Sequence, residues 1–175
     1  MSVRELAVAA TAAGPRHVVL TGGEPLLQRE LGPLTDTLSL AGLHVTVETA
    51  GTTAPEFSCD LLSVSPKTSN SDPEGRFRER HRALRAAPGP LMRLLARHPE
   101  HQLKFVVRGE ADLGEILTLV ERLGVVRERV LLMPEGRSAA EVASRAPEVA
   151  QLCMRNGFRY SPRLHLDLFG PGRGV

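Results

Sequence analysis

The segment Thr21-Gly22-Gly23-Glu24-Pro25 follows the short apolar run His17-Val18-Val19-Leu20. Two adjacent glycines permit a tight turn and let main-chain groups approach a ligand with no side chain in the way. Pro25 suits the first turn of a following helix. Similar polar or glycine-bearing segments recur as Glu48-Thr49-Ala50-Gly51-Thr52, Ser65-Pro66-Lys67-Thr68 and Met133-Pro134-Glu135-Gly136, and the chain closes on Phe169-Gly170-Pro171-Gly172-Arg173-Gly174-Val175. Gln102 and Lys104 sit in one further apolar run, and Arg163, His165 and Asp167 in another. Ligands of parallel sheets gather at the carboxyl ends of strands, so this recurrence predicts one shared pocket built from strand-end loops. Taken singly, each segment also fits a plainer role. Gly-Gly-Glu-Pro is an ordinary strand-to-helix turn, Glu48 and Lys67 are solvated charges, and His165 is a structural histidine on a strand face.

Other chemistries lack their residues. There is no P-loop, no GxGxxG, no GxSxG and no histidine spacing for a metal, so no catalytic nucleophile and no metal ligand is assigned. The two cysteines, Cys59 and Cys153, form no close pair and cannot give three thiolates to an iron–sulfur centre. They read as reduced thiols of a cytoplasmic protein.

The elements that must position these segments are short β-rich runs alternating with helical patterns. The runs are His17–Leu20, Leu43–Val47, Leu61–Val64, Leu103–Val107, Val130–Met133 and Leu164–Leu168. Several are apolar at nearly every residue, as in strands covered on both faces. Between them, Leu113, Ile116, Leu117, Val120 and Leu123 mark one helical face, and Val142, Val149, Leu152 and Cys153 another. The predicted class is α/β, with a mostly parallel sheet of about six strands. Ser2 and Glu5 have the capping-box form, predicting a helix from the first residues to a Gly14-Pro15 stop. A chain that opens on a helix cap and then enters a strand reads as a domain entered midway or as an α/β protein that starts on a helix. Arg76, Arg78, Arg80, Arg82 and Arg85 form a basic run in the least regular stretch and read as a solvated face.

With 175 residues, the chain has room for a single domain spanning 1–175. Its 42% hydrophobic content excludes wholesale disorder, and a net charge of +2 argues against bulk attraction to nucleic acid or membrane. No apolar run reaches the length of a membrane span, and no secretory leader opens the chain.

Thr21-Gly22-Gly23-Glu24-Pro25 resembles the Gly-Gly-Glu motif of radical S-adenosylmethionine enzymes. Glu48-Thr49-Ala50-Gly51-Thr52, Ser63-Val64-Ser65-Pro66-Lys67 with Ser69-Asn70-Ser71, Gln102–Val107, Leu132–Gly136, Pro162–His165 and Gly172–Val175 then resemble, in order, the 7-carboxy-7-deazaguanine synthase family. The resemblance implies a partial β/α barrel, paired as a homodimer. It implies a lyase that contracts the ring of 6-carboxy-5,6,7,8-tetrahydropterin with loss of ammonia, for 7-deazapurine and queuosine biosynthesis. Its cofactors would be S-adenosylmethionine, a [4Fe-4S] cluster and Mg2+.

Carried over by resemblance, Thr21 would meet the pterin, and Gly22, Gly23 and Glu24 would hold the methionine end of S-adenosylmethionine. Ser65, Pro66 and Lys67 would line its ribose side and Met133, Pro134, Glu135 and Gly136 its adenine side, with the carboxylate of Val175 on the substrate. Strand-end main chain can pair with adenine edges, and a carboxylate can accept from an ammonium or a guanidine-like edge. The family's first strand, its three cluster cysteines and its magnesium-binding hydroxyl have no counterpart in these residues. The chain is therefore expected to be the C-terminal portion of such a barrel and inert by itself. The other reading is a degenerate, non-catalytic partner subunit that binds S-adenosylmethionine or a pterin.

Overall fold

A computed structural model describes residues 1–79, 82–83, 87–170 and 172. Six strands are ordered as in the sequence, β1 (His17–Leu20), β2 (His44–Thr49), β3 (Leu61–Val64), β4 (His101–Val107), β5 (Val130–Pro134) and β6 (Arg159–Tyr160). The sheet is parallel and open, as the alternation of strands and helices predicts. The helices are α1 (Val3–Ala12), α2 (Leu31–Leu40), α3 (Gly89–Arg97), α4 (Leu113–Leu123), α5 (Ala139–Asn156) and α6 (Leu164–Phe169). The chain divides into two compact units, Met1–Pro66 with Ala86–Gln102 and Lys67–Arg85 with Leu103–Val175. No helix of the described residues is long and apolar enough to cross a membrane.

In the first unit, the capping box forms as the sequence predicts. Ser2 Oγ accepts from the Glu5 N–H at 3.2 Å, and the Ser2 N–H donates to Glu5 Oε2 at 2.7 Å. These bonds satisfy two amides that the first turn of a helix leaves without partners. Helix α1 stops at Gly14, whose φ of +75° lies in the left-handed region. β1 pairs β2 from His17↔His44 to Leu20↔Val47, and β2 pairs β3 from Thr46↔Leu61 to Thr49↔Val64. Leu38, Val45, Val47, Leu62, Val64 and Leu94 form the core of this unit.

β2 does not have two equally buried faces. Val45, Val47 and Thr49 are buried, whereas His44, Thr46 and Glu48 are half-buried. Helix α2 packs on β2, and the second face keeps polar residues because it is only partly covered. β1 ends the strand order, and its Val19 is 52% exposed. A groove of about 1230 Å³ lies there, lined among others by Leu6, Val19, Gly23, Leu27 and Leu34.

In the second unit, Leu103, Phe105, Ile116, Leu132, Val149 and Leu152 form the core. Ile116 and Val120 of α4, and Val142, Val149, Leu152 and Cys153 of α5, are the buried members of the two predicted helical faces. One predicted element is wrong. Leu164–Leu168 is not a strand; it lies in helix α6, and the sixth strand is Arg159–Tyr160, paired as Leu131↔Arg159 and Leu132↔Tyr160. Gly157, at φ +69°, closes α5 and turns the chain back at once, burying Phe158 and laying the next two residues beside β5. Of the alternating leucines only Leu166 is buried, and Leu164 and Leu168 stay exposed, as one turn of helix requires. In the basic run, Arg82 pairs with Asp72 at 3.0 Å, and Arg80 and Arg85 lie outside the described residues.

Candidate functional site

The first unit carries Thr21–Glu24, Thr49–Gly51 and Ser65-Pro66 at the carboxyl ends of β1, β2 and β3. Thr21, Gly22 and Gly23 are exposed. Gly22 has φ +102°, a conformation that side-chain-bearing residues rarely adopt, and a Cβ built on either glycine would meet nothing within 4 Å. The turn therefore presents bare main chain to open space. It is held from below by its own glutamate. Glu24 Oε1 accepts the Leu26 N–H at 3.1 Å and the Thr49 hydroxyl at 2.6 Å, and Oε2 accepts the Ala50 N–H at 2.9 Å. As N-cap of the short turn Pro25–Leu27, Glu24 also fixes the chain leaving the site, and Pro25 falls in its first turn as predicted. The Ser65 N–H donates to Thr49 O at 2.7 Å, so the end of β3 hangs on the same threonine. Pro66 is buried. Residue type alone gives Thr49 no role; its place beside Glu48 in a strand-end segment is the signal the sequence carries.

In the second unit, Lys67 is exposed, and the loop behind it is pinned. Thr68 is buried and donates through Oγ1 to Asn70 Oδ1 at 2.9 Å. Asn70 Nδ2 then donates to Val106 O at 3.1 Å and to Asp112 Oδ2 at 2.9 Å. Met133–Gly136 ends β5. The Glu135 N–H donates to Val107 O at 2.8 Å, and Arg145 grips Glu135 through its carbonyl at 2.9 Å and its carboxylate at 3.4 Å. Gly136 is buried and needs to be glycine, since a Cβ there would meet Val142 Cγ2 at 2.9 Å and Val142 N at 3.0 Å. Its carbonyl accepts from Arg163 Nη1 at 2.9 Å, while the buried Arg163 Nε has no hydrogen-bond partner. His165 is exposed on α6, not on a strand. Val175 lies outside the described residues.

The residues suit S-adenosylmethionine better than they suit iron. An ammonium needs acceptors, and the main chain at Gly22 and Gly23 is exposed, with open space where side chains would stand. A cluster needs accessible thiolates. Cys153 is buried in α5, and burial pushes its thiol up. Burial, with the Asp60 carboxylate adding to it and a main-chain hydrogen bond at Val47 opposing, pushes Cys59 up to about 11. Two protonated thiols are poor iron ligands. Among the described residues, no three His, Cys, Asp or Glu side chains group to hold a metal ion.

Fold and strand-end segments together define an α/β protein with an open parallel sheet and glycine-bearing turns at the carboxyl ends of its strands, the place where ligands of such sheets gather. Comparison with known proteins makes this specific. The chain is 36% identical over 178 aligned residues to 7-carboxy-7-deazaguanine synthase of Rhodopirellula baltica, an alignment covering 99% of this chain and 69% of that protein. The synthase of Pyrobaculum aerophilum is 34% identical, with 99% and 75% covered, and that of Halobacterium salinarum 43% identical, with 87% and 65% covered. The chain belongs to the 7-carboxy-7-deazaguanine synthase family. It spans roughly two thirds of the length of these relatives, 65% of the Halobacterium protein and 69% of the Rhodopirellula one. The crystal structure of QueE from Escherichia coli shares the fold, with a TM-score of 0.63 and 24% identity over 93% of this chain and 64% of that one. No family model matches the chain.

Proposed function

We propose that this chain is the portion of a 7-carboxy-7-deazaguanine synthase that holds S-adenosylmethionine and the pterin substrate. The observation that carries the reading is the family match along nearly the whole chain, at 36% identity. The exposed Gly22-Gly23 turn agrees with it. When bound, S-adenosylmethionine supplies the hydrogen-abstraction chemistry that begins a ring contraction.

This chain's residues bind and orient. Main-chain carbonyls of Gly22 and Gly23 accept from the ammonium of the methionine end, and Thr21 meets the pterin. Ser65, Pro66 and Lys67 serve the ribose side. Met133–Gly136, at the end of β5, serve the adenine side. The carboxylate of Val175 serves the pterin. The protein works in the cytoplasm as a homodimer, in 7-deazapurine biosynthesis.

The cluster and Mg2+ come from residues outside these 175. A preceding segment, in the same polypeptide or a separate one, adds beside β1. The groove there supports this reading, because an edge strand offers unpaired main-chain groups to a new neighbour. By itself the chain is inert.

Anaerobic iron and sulfide reconstitution tests the proposal in two parts. The chain alone takes up no stoichiometric cluster. Supplied with the cysteine-bearing segment of a relative, it makes 7-carboxy-7-deazaguanine from 6-carboxy-5,6,7,8-tetrahydropterin. Four irons held per chain by the 175 residues alone would overturn the first part, and a loaded complex that leaves the pterin unchanged would overturn the second.

A further inference from the structure

The carboxylate of Glu24 is engaged by three scaffold donors, at least one on each oxygen. Its Oε1 accepts two donors, Leu26 N–H and Thr49 Oγ1–H, and its Oε2 accepts a third, Ala50 N–H. The threonine is itself anchored. Thr49 is buried, its Oγ1 accepts the Gly51 N–H at 2.9 Å, and its carbonyl accepts the Ser65 N–H at 2.7 Å. Gly51 makes this geometry possible. At φ +72°, with Val64 Cγ1 at 3.0 Å from where a Cβ would stand, it turns the chain so that its amide points back at the hydroxyl. One line of hydrogen bonds thus ties the turn after β1 to the ends of β2 and β3, all inside the first unit.

We infer that Glu24 and Thr49 are positioning residues, a strut that holds the Thr21–Gly23 main chain in place. The ammonium of an α-amino acid is then held by main-chain carbonyls and not by the Glu24 carboxylate. A carboxylate meant for an ammonium would keep an oxygen free of scaffold donors, but each of these oxygens accepts at least one and the pair accepts three. The inference rests on the S-adenosylmethionine reading of the same turn and adds which atoms of the motif recognise and which support.

Two ligands separate the roles. S-adenosylhomocysteine and 5′-methylthioadenosine share the adenosine and the thioether sulfur, and only the first carries the α-amino acid. Titration calorimetry on the 175-residue chain is expected to show tighter binding of S-adenosylhomocysteine. Thr49→Val removes the hydroxyl at nearly constant volume. It should weaken S-adenosylhomocysteine about tenfold or more, the size of one hydrogen bond to a charged group, and leave 5′-methylthioadenosine within about twofold. Thr49→Ser, which keeps the hydroxyl, should restore the difference. Glu24→Gln should behave like Thr49→Val, because its amide turns a donor toward groups that are themselves donors.

Equal weakening of both ligands by Thr49→Val, or a Glu24→Gln chain that keeps the wild-type difference, would overturn the strut. A wild-type chain that does not discriminate between the two ligands would overturn the S-adenosylmethionine reading, and the strut's role in it.

Discussion

Gly136→Ala adds one methyl group at the end of β5. A Cβ there stands 2.9 Å from Val142 Cγ2, 3.0 Å from Val142 N and 3.1 Å from Glu141 Cβ. The valine methyl can rotate away, but the nitrogen is main chain in the first turn of α5 and is bonded to Ser138 O at 3.1 Å. Relieving the contact means shifting that turn. The shift loosens the cap, in which Ser138 Oγ accepts the Glu141 N–H at 3.2 Å and Glu141 Oε2 accepts the Arg137 N–H at 2.7 Å. Overpacking of this kind costs about 1–3 kcal/mol, and a weakened N-cap about 1 more. A loss of about 2–4 kcal/mol in a chain of this size lowers Tm by on the order of 10 °C. Circular dichroism melts and urea titration measure it, with the urea slope unchanged. Gly114→Ala is the control with the opposite sign. Gly114 is exposed in α4 with nothing within 4 Å of a Cβ, so alanine should stabilise by about 0.5–1 kcal/mol. If Gly136→Ala melts within about 2 °C of the parent, the start of α5 gives way freely, and the steric argument for that glycine is wrong.

Ser2→Ala removes one half of the capping box and should cost about 1 kcal/mol, read as faster amide exchange in the first turn of α1 with the core unchanged. Cys59, raised by burial to about 11, should resist iodoacetamide at pH 8 in the folded chain and react at once in urea. Its folded-state value lies above that of a free thiol, so its stabilising contribution is complete below the ordinary thiol range and is lost as pH rises toward about 11; urea titrations at pH 8 and pH 11 check this. Val19→Lys places a charge on the exposed residue of the terminal strand and should reduce self-association on gel filtration while changing stability by less than about 0.5 kcal/mol. Unchanged association would mean that the edge of β1 is not the sticky surface.

Much of the scaffold is readable from local chemistry. β1 and β3 have the predicted bounds because β-branched and aliphatic runs bounded by polar turns leave little choice. The cap at Ser2 is readable because a serine and a glutamate three residues apart satisfy each other with no help from the rest of the chain. Local pattern fails at the sixth strand. Leu164, Leu166 and Leu168 alternate as a strand should, whereas Arg159–Tyr160 is too short to have a period and is placed by the turn at Gly157 and the burial of Phe158.

The site divides along the same line. That Gly22-Gly23 leaves main chain uncovered follows from residue type alone, because only glycine leaves that surface bare. What holds the surface still does not follow, because Glu24 finds Thr49 across 25 residues, and that pairing exists only once β1 and β2 are in register. The His17↔His44 ladder sets it, since Leu20 opposite Val47 leaves Glu24 and Thr49 as the groups that emerge together at the strand ends. A slip of one residue between β1 and β2 would turn Thr49 to the opposite face and take its hydroxyl from Glu24. The geometry of the turn thus depends on the apolar pairing beneath it, and substitutions in the Val18–Val45 layer should disturb ligand binding as well as stability.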